Sequence, residues 1–112
     1  MRWRRSVLIG ITLCGVMMIG ACGGSGSSNS STASTGKQLF VQNCGSCHTL
    51  AAAGTSGGVG PNLDTQFHGK QPAAIEATVR HKIANGGGAM QASIVTGSAA
   101  AKVAAYVASA AK

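Results

Sequence analysis

Two thiols and an imidazole stand close together at Cys44-Gly45-Ser46-Cys47-His48. This C-x-x-C-H spacing is that of covalent attachment of a c-type haem. Thiols one helical turn apart can add to the two vinyl groups on one edge of a porphyrin, and the histidine that follows then lies under the ring, within reach of iron. Other chemistries fit less well. A zinc site needs two further ligands, and the remaining histidines past the leader, His68 and His81, lack the close spacing of a zinc finger. A thioredoxin-like redox pair belongs in a βαβ setting, of which the chain has no sign. A plain Cys44–Cys47 disulfide would leave the poor core described below unexplained.

A haem iron has a second axial position. Met1, Met17 and Met18 lie in the leader, so Met90 is the one methionine left for it. It follows Gly86-Gly87-Gly88-Ala89, a backbone pliant enough to bring a thioether to iron. A methionine is as readily a core-filling residue; position and elimination favour ligation, giving the His/Met pair of electron-transfer haems. His68, beside Phe67, and His81 are rival ligands. His81 is out of step with Val79 and Ile83 and is expected on the solvent face.

Three helices are expected to position these groups. Thr35 and Gln38 form a capping box, and Phe40, Cys44 and Cys47 then recur on one helical face. Pro72 suits a first helical position; from it Ile75, Val79 and Ile83 share a face until the glycine run at 86–88. The last helix is expected from about Ser98 to Ala110, with Val103, Tyr106, Val107 and Ala110 on one stripe. The glycine-rich stretch from Thr49 to Gln71 reads as a loop. No segment alternates with a strand's period, so the fold class is all-α. From residue 35 on, Phe40, Phe67 and Tyr106 are the sole aromatics and alanine dominates the helices. Domains this small are marginal even with large apolar side chains, and a long loop in a compact domain points to wrapping around a ligand. One covalent haem supplies the missing core.

The N-terminal third has a different character. Arg2, Arg4 and Arg5 precede an apolar run from Ser6 to Ile19, the order of a secretory signal. The run falls short of the ~20 apolar residues of a membrane span. Ile19-Gly20-Ala21-Cys22 resembles the lipobox of bacterial lipoproteins, which implies cleavage after residue 21 and acylation of Cys22; multiple chains give stable anchoring where one does not. The expected organisation is a lipoprotein signal peptide at 1–21, the lipidated Cys22 with a flexible Gly/Ser tether to residue 34, and a haem domain at 35–112. A coil of that composition spans roughly 20 Å. Cys14 leaves with the signal and Cys22 takes lipid, so two cysteines remain for two vinyls. From residue 35 on, six basic side chains oppose Asp64 and Glu76, a net charge of +4 within the chain's +7. Basic residues this sparse argue against a nucleic-acid partner.

From Gly36 to Ala110 the chain resembles a class I cytochrome c of the small bacterial type. Gly36-Lys37-Gln38-Leu39-Phe40 leading into C-x-x-C-H is similar to that family's first helix, where the glycine permits a close crossing of the first and last helices beside the phenylalanine. Gly60-Pro61-Asn62-Leu63 resembles its proximal loop, which implies that the Pro61 carbonyl accepts a hydrogen bond from the haem histidine and orients it. Ala105-Tyr106-Val107 resembles the last helix. The family's distal methionine occupies a Gly-rich loop, usually with a proline just after it; here Gln91 follows Met90. The resemblance implies a one-electron carrier between redox complexes, held by its lipid at the outer face of a bacterial plasma membrane, with protein redox partners and no small-molecule substrate. A haem subunit of a larger dehydrogenase or oxidase is the nearest alternative, and an open-site peroxidase or gas sensor a more distant one. Arg80, Lys82 and Lys70 could form a basic docking surface for an acidic partner. No enzymatic activity is expected, because neither carboxylate has a recognisable acid–base partner.

Overall fold

The computed structural model describes residues 27–112, with side chains from residue 31; Cys22, the signal and the start of the tether lie outside the described residues. The elements in order are α1 (Ser27–Asn43), β1 (Thr49–Leu50), a single 3-10 turn (Ala51–Ala53), β2 (Thr55–Ser56), α2 (Leu63–Phe67), α3 (Pro72–Asn85) and α4 (Gly97–Ala110). The fold is all-α, and its main helices are α1, α3 and α4. The antiparallel pair β1–β2 is a miniature hairpin of two residues per strand.

α1 departs from expectation at its start. It is already helical at Ser27, the first described residue, rather than from Thr35, so part of the expected flexible tether is helical. Thr35 does not cap the helix: its hydroxyl donates to the Ser31 carbonyl one turn back, at 2.9 Å. Ser, Thr and Asn are indifferent helix formers, but tertiary contact overrides such preferences. Thr32 and Ala33 flank a groove whose other wall is Ala105, Tyr106 and Ser109 of α4, and the helix extends along that neighbour.

α3 and α4 run close to their expected spans. Pro72 stands at the start of α3, which ends where Gly86 turns to φ +66° and its N–H bonds the Lys82 carbonyl at 2.7 Å. Ile75 and Ile83 are buried, and Val79 packs against the same core. In α4, Val103, Tyr106 and Val107 are buried, and so are Ala104 and Ala108 on a second face. Both faces are needed because α4 packs extensively on α1 and on α3, whereas those two scarcely meet each other. Alanine there lets a helix be covered on two sides, so it serves close packing.

The loop expected from Thr49 to Gln71 holds the hairpin and α2. Asn62 caps α2 through its side-chain oxygen, which accepts from the N–H of Asp64 at 2.9 Å and of Thr65 at 3.4 Å. Asp64 in turn accepts from the Ala51 N–H at 2.8 Å, tying α2 to the hairpin. Leu50 and Phe67 carry this segment's apolar weight into the core.

α1 crosses α4 at Gly36. A β-carbon there would lie 2.6 Å from the Lys102 carbonyl oxygen and 2.7 Å from Tyr106 Cβ. Beside the crossing, Phe40 and Tyr106 meet with ring centroids 6.1 Å apart, tilted by 56°. Gly36→Ala gains about 1 kcal/mol of helix propensity but forces the helices apart, an overpacking cost of about 1–3 kcal/mol. The expected net result is a lower denaturation midpoint for the haem-loaded protein in urea; an unchanged or raised midpoint would show that the crossing is not tight.

Candidate haem site

The C-x-x-C-H residues begin where α1 ends. The Cys44 N–H still bonds the Phe40 carbonyl at 2.7 Å, and the chain continues for one further turn, with His48 N–H to the Cys44 carbonyl at 2.9 Å. Cys44 is buried; Cys47 and His48 are half-buried. His48 Nδ1 lies 2.9 Å from the Pro61 carbonyl oxygen. A carbonyl can only accept, so Nδ1 carries the proton and Nε2 keeps the lone pair that a metal requires. Gly60 lies flat against the same ring: a β-carbon on it would collide with His48 Cε1 and Nδ1. Gly60 N–H also bonds the Cys47 carbonyl at 2.8 Å.

The two thiols and the imidazole face a cavity of about 550 Å³ between α1 and α3, backed by α4. Phe40, Phe67, Val79, Ile83 and Val107 are among its walls, and of its lining residues only Lys82, Cys44, Cys47 and His48 are ionisable. A concave apolar space with a few convergent polar groups suits a large apolar cofactor, and the donor set fits haem c: two thiols for thioether bonds, one imidazole with Nε2 unprotonated. Both cysteines are free thiols. Burial pushes the Cys44 thiol up to about 11, with Cys47 adding to the shift. Among the described residues no three His, Cys, Asp or Glu side chains gather to hold a metal ion.

Met90 lines this cavity and packs against the core. Its backbone exchanges two hydrogen bonds with Gly87, N–H to O at 3.1 Å and O from N–H at 2.9 Å. Gly86, Gly87 and Gly88 have φ of +66°, +142° and +59°, which only glycine adopts without strain. Past Gln91, the Ser93 N–H returns to the Ile83 carbonyl at 2.7 Å. Backbone bonds thus hold the Met90 turn without a proline. His81 is exposed on α3 and His68 is exposed at the C-terminal cap of α2; neither lines the cavity.

Lys82, expected with Arg80 and Lys70 on a basic surface, lines the cavity itself. Two further features of the site had no sequence signal strong enough to find them. Val59, 70% exposed, and Ile94, 41% exposed, sit on its rim. The hairpin grips the motif from outside: the Thr55 hydroxyl donates to the His48 carbonyl at 2.9 Å. Two-residue strands are too short to show a period.

Comparison with known proteins agrees with this geometry. Residues 31–107 match the family described as cytochrome c oxidase, cbb3-type, subunit III. Among solved structures, the c-type cytochrome SorU from Sinorhizobium meliloti is similar at 33% identity and a TM-score of 0.63, over 73% of this chain and 93% of that one. No curated protein sequence gives a significant match. The chain therefore belongs to the cytochrome c family of the cbb3-type subunit III kind, and it is a haem protein carrying covalently bound haem c.

Proposed function

We propose that the protein is a one-electron carrier in which Cys44 and Cys47 hold the haem by thioether bonds and His48 and Met90 are its axial ligands. The observation that carries this reading is the company kept in one apolar cavity: two thiols, an imidazole with its Nδ1 proton committed to Pro61, and one thioether, with no carboxylate among the lining residues. When bound, haem c supplies a one-electron ferric/ferrous couple. The chain's own residues do the rest. The Pro61 carbonyl keeps the proton on Nδ1 and raises the basicity of Nε2. The apolar walls keep water from the site, and the hydrogen-bonded turn at 87–90 presents Met90. With His48 and Met90 both holding the iron, no position would be left on it for a substrate.

The carrier works on protein partners. Arg80 is engaged by Glu76 at 3.1 Å, which leaves Lys82, at the cavity, as the cation best placed to meet an acidic partner. Such steering raises the association rate and weakens with salt. The chain is exported and held by acyl chains on Cys22 at the outer face of a bacterial plasma membrane; this rests on the order of basic start, apolar run and Gly20-Ala21-Cys22. No described helix is long and apolar enough to cross a membrane.

The family match favours one second reading, in which the protein is an electron-transfer subunit fixed to a terminal oxidase or dehydrogenase. Co-purification with a large complex after mild detergent extraction would support the subunit; recovery as a single small haem protein supports the free carrier.

Visible spectra test the ligand set. The purified protein is expected to be low-spin with the methionine–iron charge-transfer band and unmoved by carbon monoxide, whereas Met90→Ala should turn high-spin and bind carbon monoxide. A wild-type spectrum that shifts with carbon monoxide would replace the carrier by an open-site haem protein. Cys22→Ala is expected to move the haem signal from the membrane to the soluble fraction; a variant that stays with the membrane would refute lipid anchoring at this residue.

A further inference from the structure

The hairpin after the haem motif holds that motif by contacts that hairpin formation alone does not require. Thr55 grips it twice. Its hydroxyl donates to the His48 carbonyl at 2.9 Å while accepting from the Leu50 N–H at 3.1 Å. Its methyl lies against Gly45, where a β-carbon would come within 2.6 Å of it. Two residues on, the Gly57 backbone presses on the Ser46–Cys47 peptide, so closely that a β-carbon would sit 2.5 Å from the Cys47 carbonyl carbon. Gly60 then closes on the His48 ring and Pro61 accepts its Nδ1 proton. Every polar group of His48 but Nε2 is therefore spoken for: N–H by Cys44, C=O by Thr55, Nδ1 by Pro61.

These contacts form one linked set. The His48 ring hangs from a peptide whose far plane is fixed by the Thr55 hydroxyl, and the ring's own bond reaches the end of the same strap, at Pro61. If the carbonyl end is freed, the ring can rock about its backbone and the Nδ1–H···O bond lengthens. A histidine whose Nδ1 proton is held less strongly donates less electron density through Nε2. The oxidised iron needs that density more than the reduced iron does, so a looser bond raises the reduction potential.

We propose that Thr55 is a positioning residue for the haem histidine, acting through the His48 carbonyl to set the strength of the His48–Pro61 hydrogen bond and thereby the potential of the haem. The proposal rests on His48 being the iron ligand.

Three variants of the haem-loaded protein separate positioning from plain support. Thr55→Val keeps the shape and removes both hydrogen bonds; Thr55→Ser keeps the hydroxyl and drops the methyl. Thr49→Val is the control, since the Thr49 hydroxyl donates to the Gly57 carbonyl at 3.0 Å in the same hairpin and makes no bond to His48. T55V is expected to have a raised potential and faster exchange of the His48 Nδ1 proton by NMR, T55S to return both to wild type, and T49V to lose thermal stability with its potential unmoved. A wild-type potential in T55V, or equal shifts in T55V and T49V, would overturn the proposal.

If T55V does not mature, the wild-type protein still decides. Its Leu50 N–H and His48 Nδ1–H should exchange through one common opening with matching protection, and independent exchange would refute the coupling. Absence of a haem spectrum from the wild-type protein would instead sink the ligand assignment on which the proposal stands.

Discussion

α4 lies against both α1 and α3 while those two scarcely meet, and nearly everything else in this protein follows from that spacing. The apolar faces of the three helices converge on a cavity of about 550 Å³ rather than on one another. A chain of this length has little surface to bury, and here part of the inner surface is reserved for a cofactor. Haem c, joined by covalent bonds, completes the core and is inseparable from the fold it completes. The close approach of α1 to α4 at Gly36, with Phe40 against Tyr106, sets the width of one side; the alanines of α4 set the other.

The two ends of the cavity are built by different means. On the His48 side the chain spends residues 49–61 on a strap whose hairpin, glycines and proline all bear on the motif. On the Met90 side a four-residue turn suffices, closed by paired backbone bonds and by three glycines at positive φ. Under the proposed ligand set, a neutral thioether needs only to be delivered to the right place. An imidazole must in addition keep a defined proton and a defined ring plane, because both set its donor strength. The heavier scaffolding stands where the electronic demand is greater.

Charge is arranged with the same economy. Asp64 is spent on the Ala51 N–H and Glu76 on Arg80, so neither carboxylate reaches the cavity. Lys82 is the one formally charged side chain that does, and Val59 and Ile94 leave apolar surface on the rim. An apolar rim beside a cation suits contact with another redox protein. Apolar area supplies contact and the cation supplies orientation.

Local chemistry is what the sequence by itself determined. The C-x-x-C-H motif names its cofactor through the spacing of three side chains. Pro72 and the glycine run bound α3 because each acts on its own backbone, and the stripe Val103–Tyr106–Val107 marks α4 because periodicity survives without knowledge of the partner. Tertiary structure decided what depends on distant neighbours. α1 is helical ahead of Thr35, where Thr32 and Ala33 face α4, although Ser, Thr and Asn carry no strong helical preference of their own. The hairpin bears on the haem motif through Thr55 and the His48 carbonyl, a contact that two-residue strands cannot announce. Met90 is held by backbone hydrogen bonds, which leave no trace in side-chain identity, so Gln91 in place of a proline says little about that loop's order. Which cation reaches the cavity was likewise a matter of packing: Lys82 and Arg80 are near neighbours in sequence, and only the placement of α3 separates one from the other.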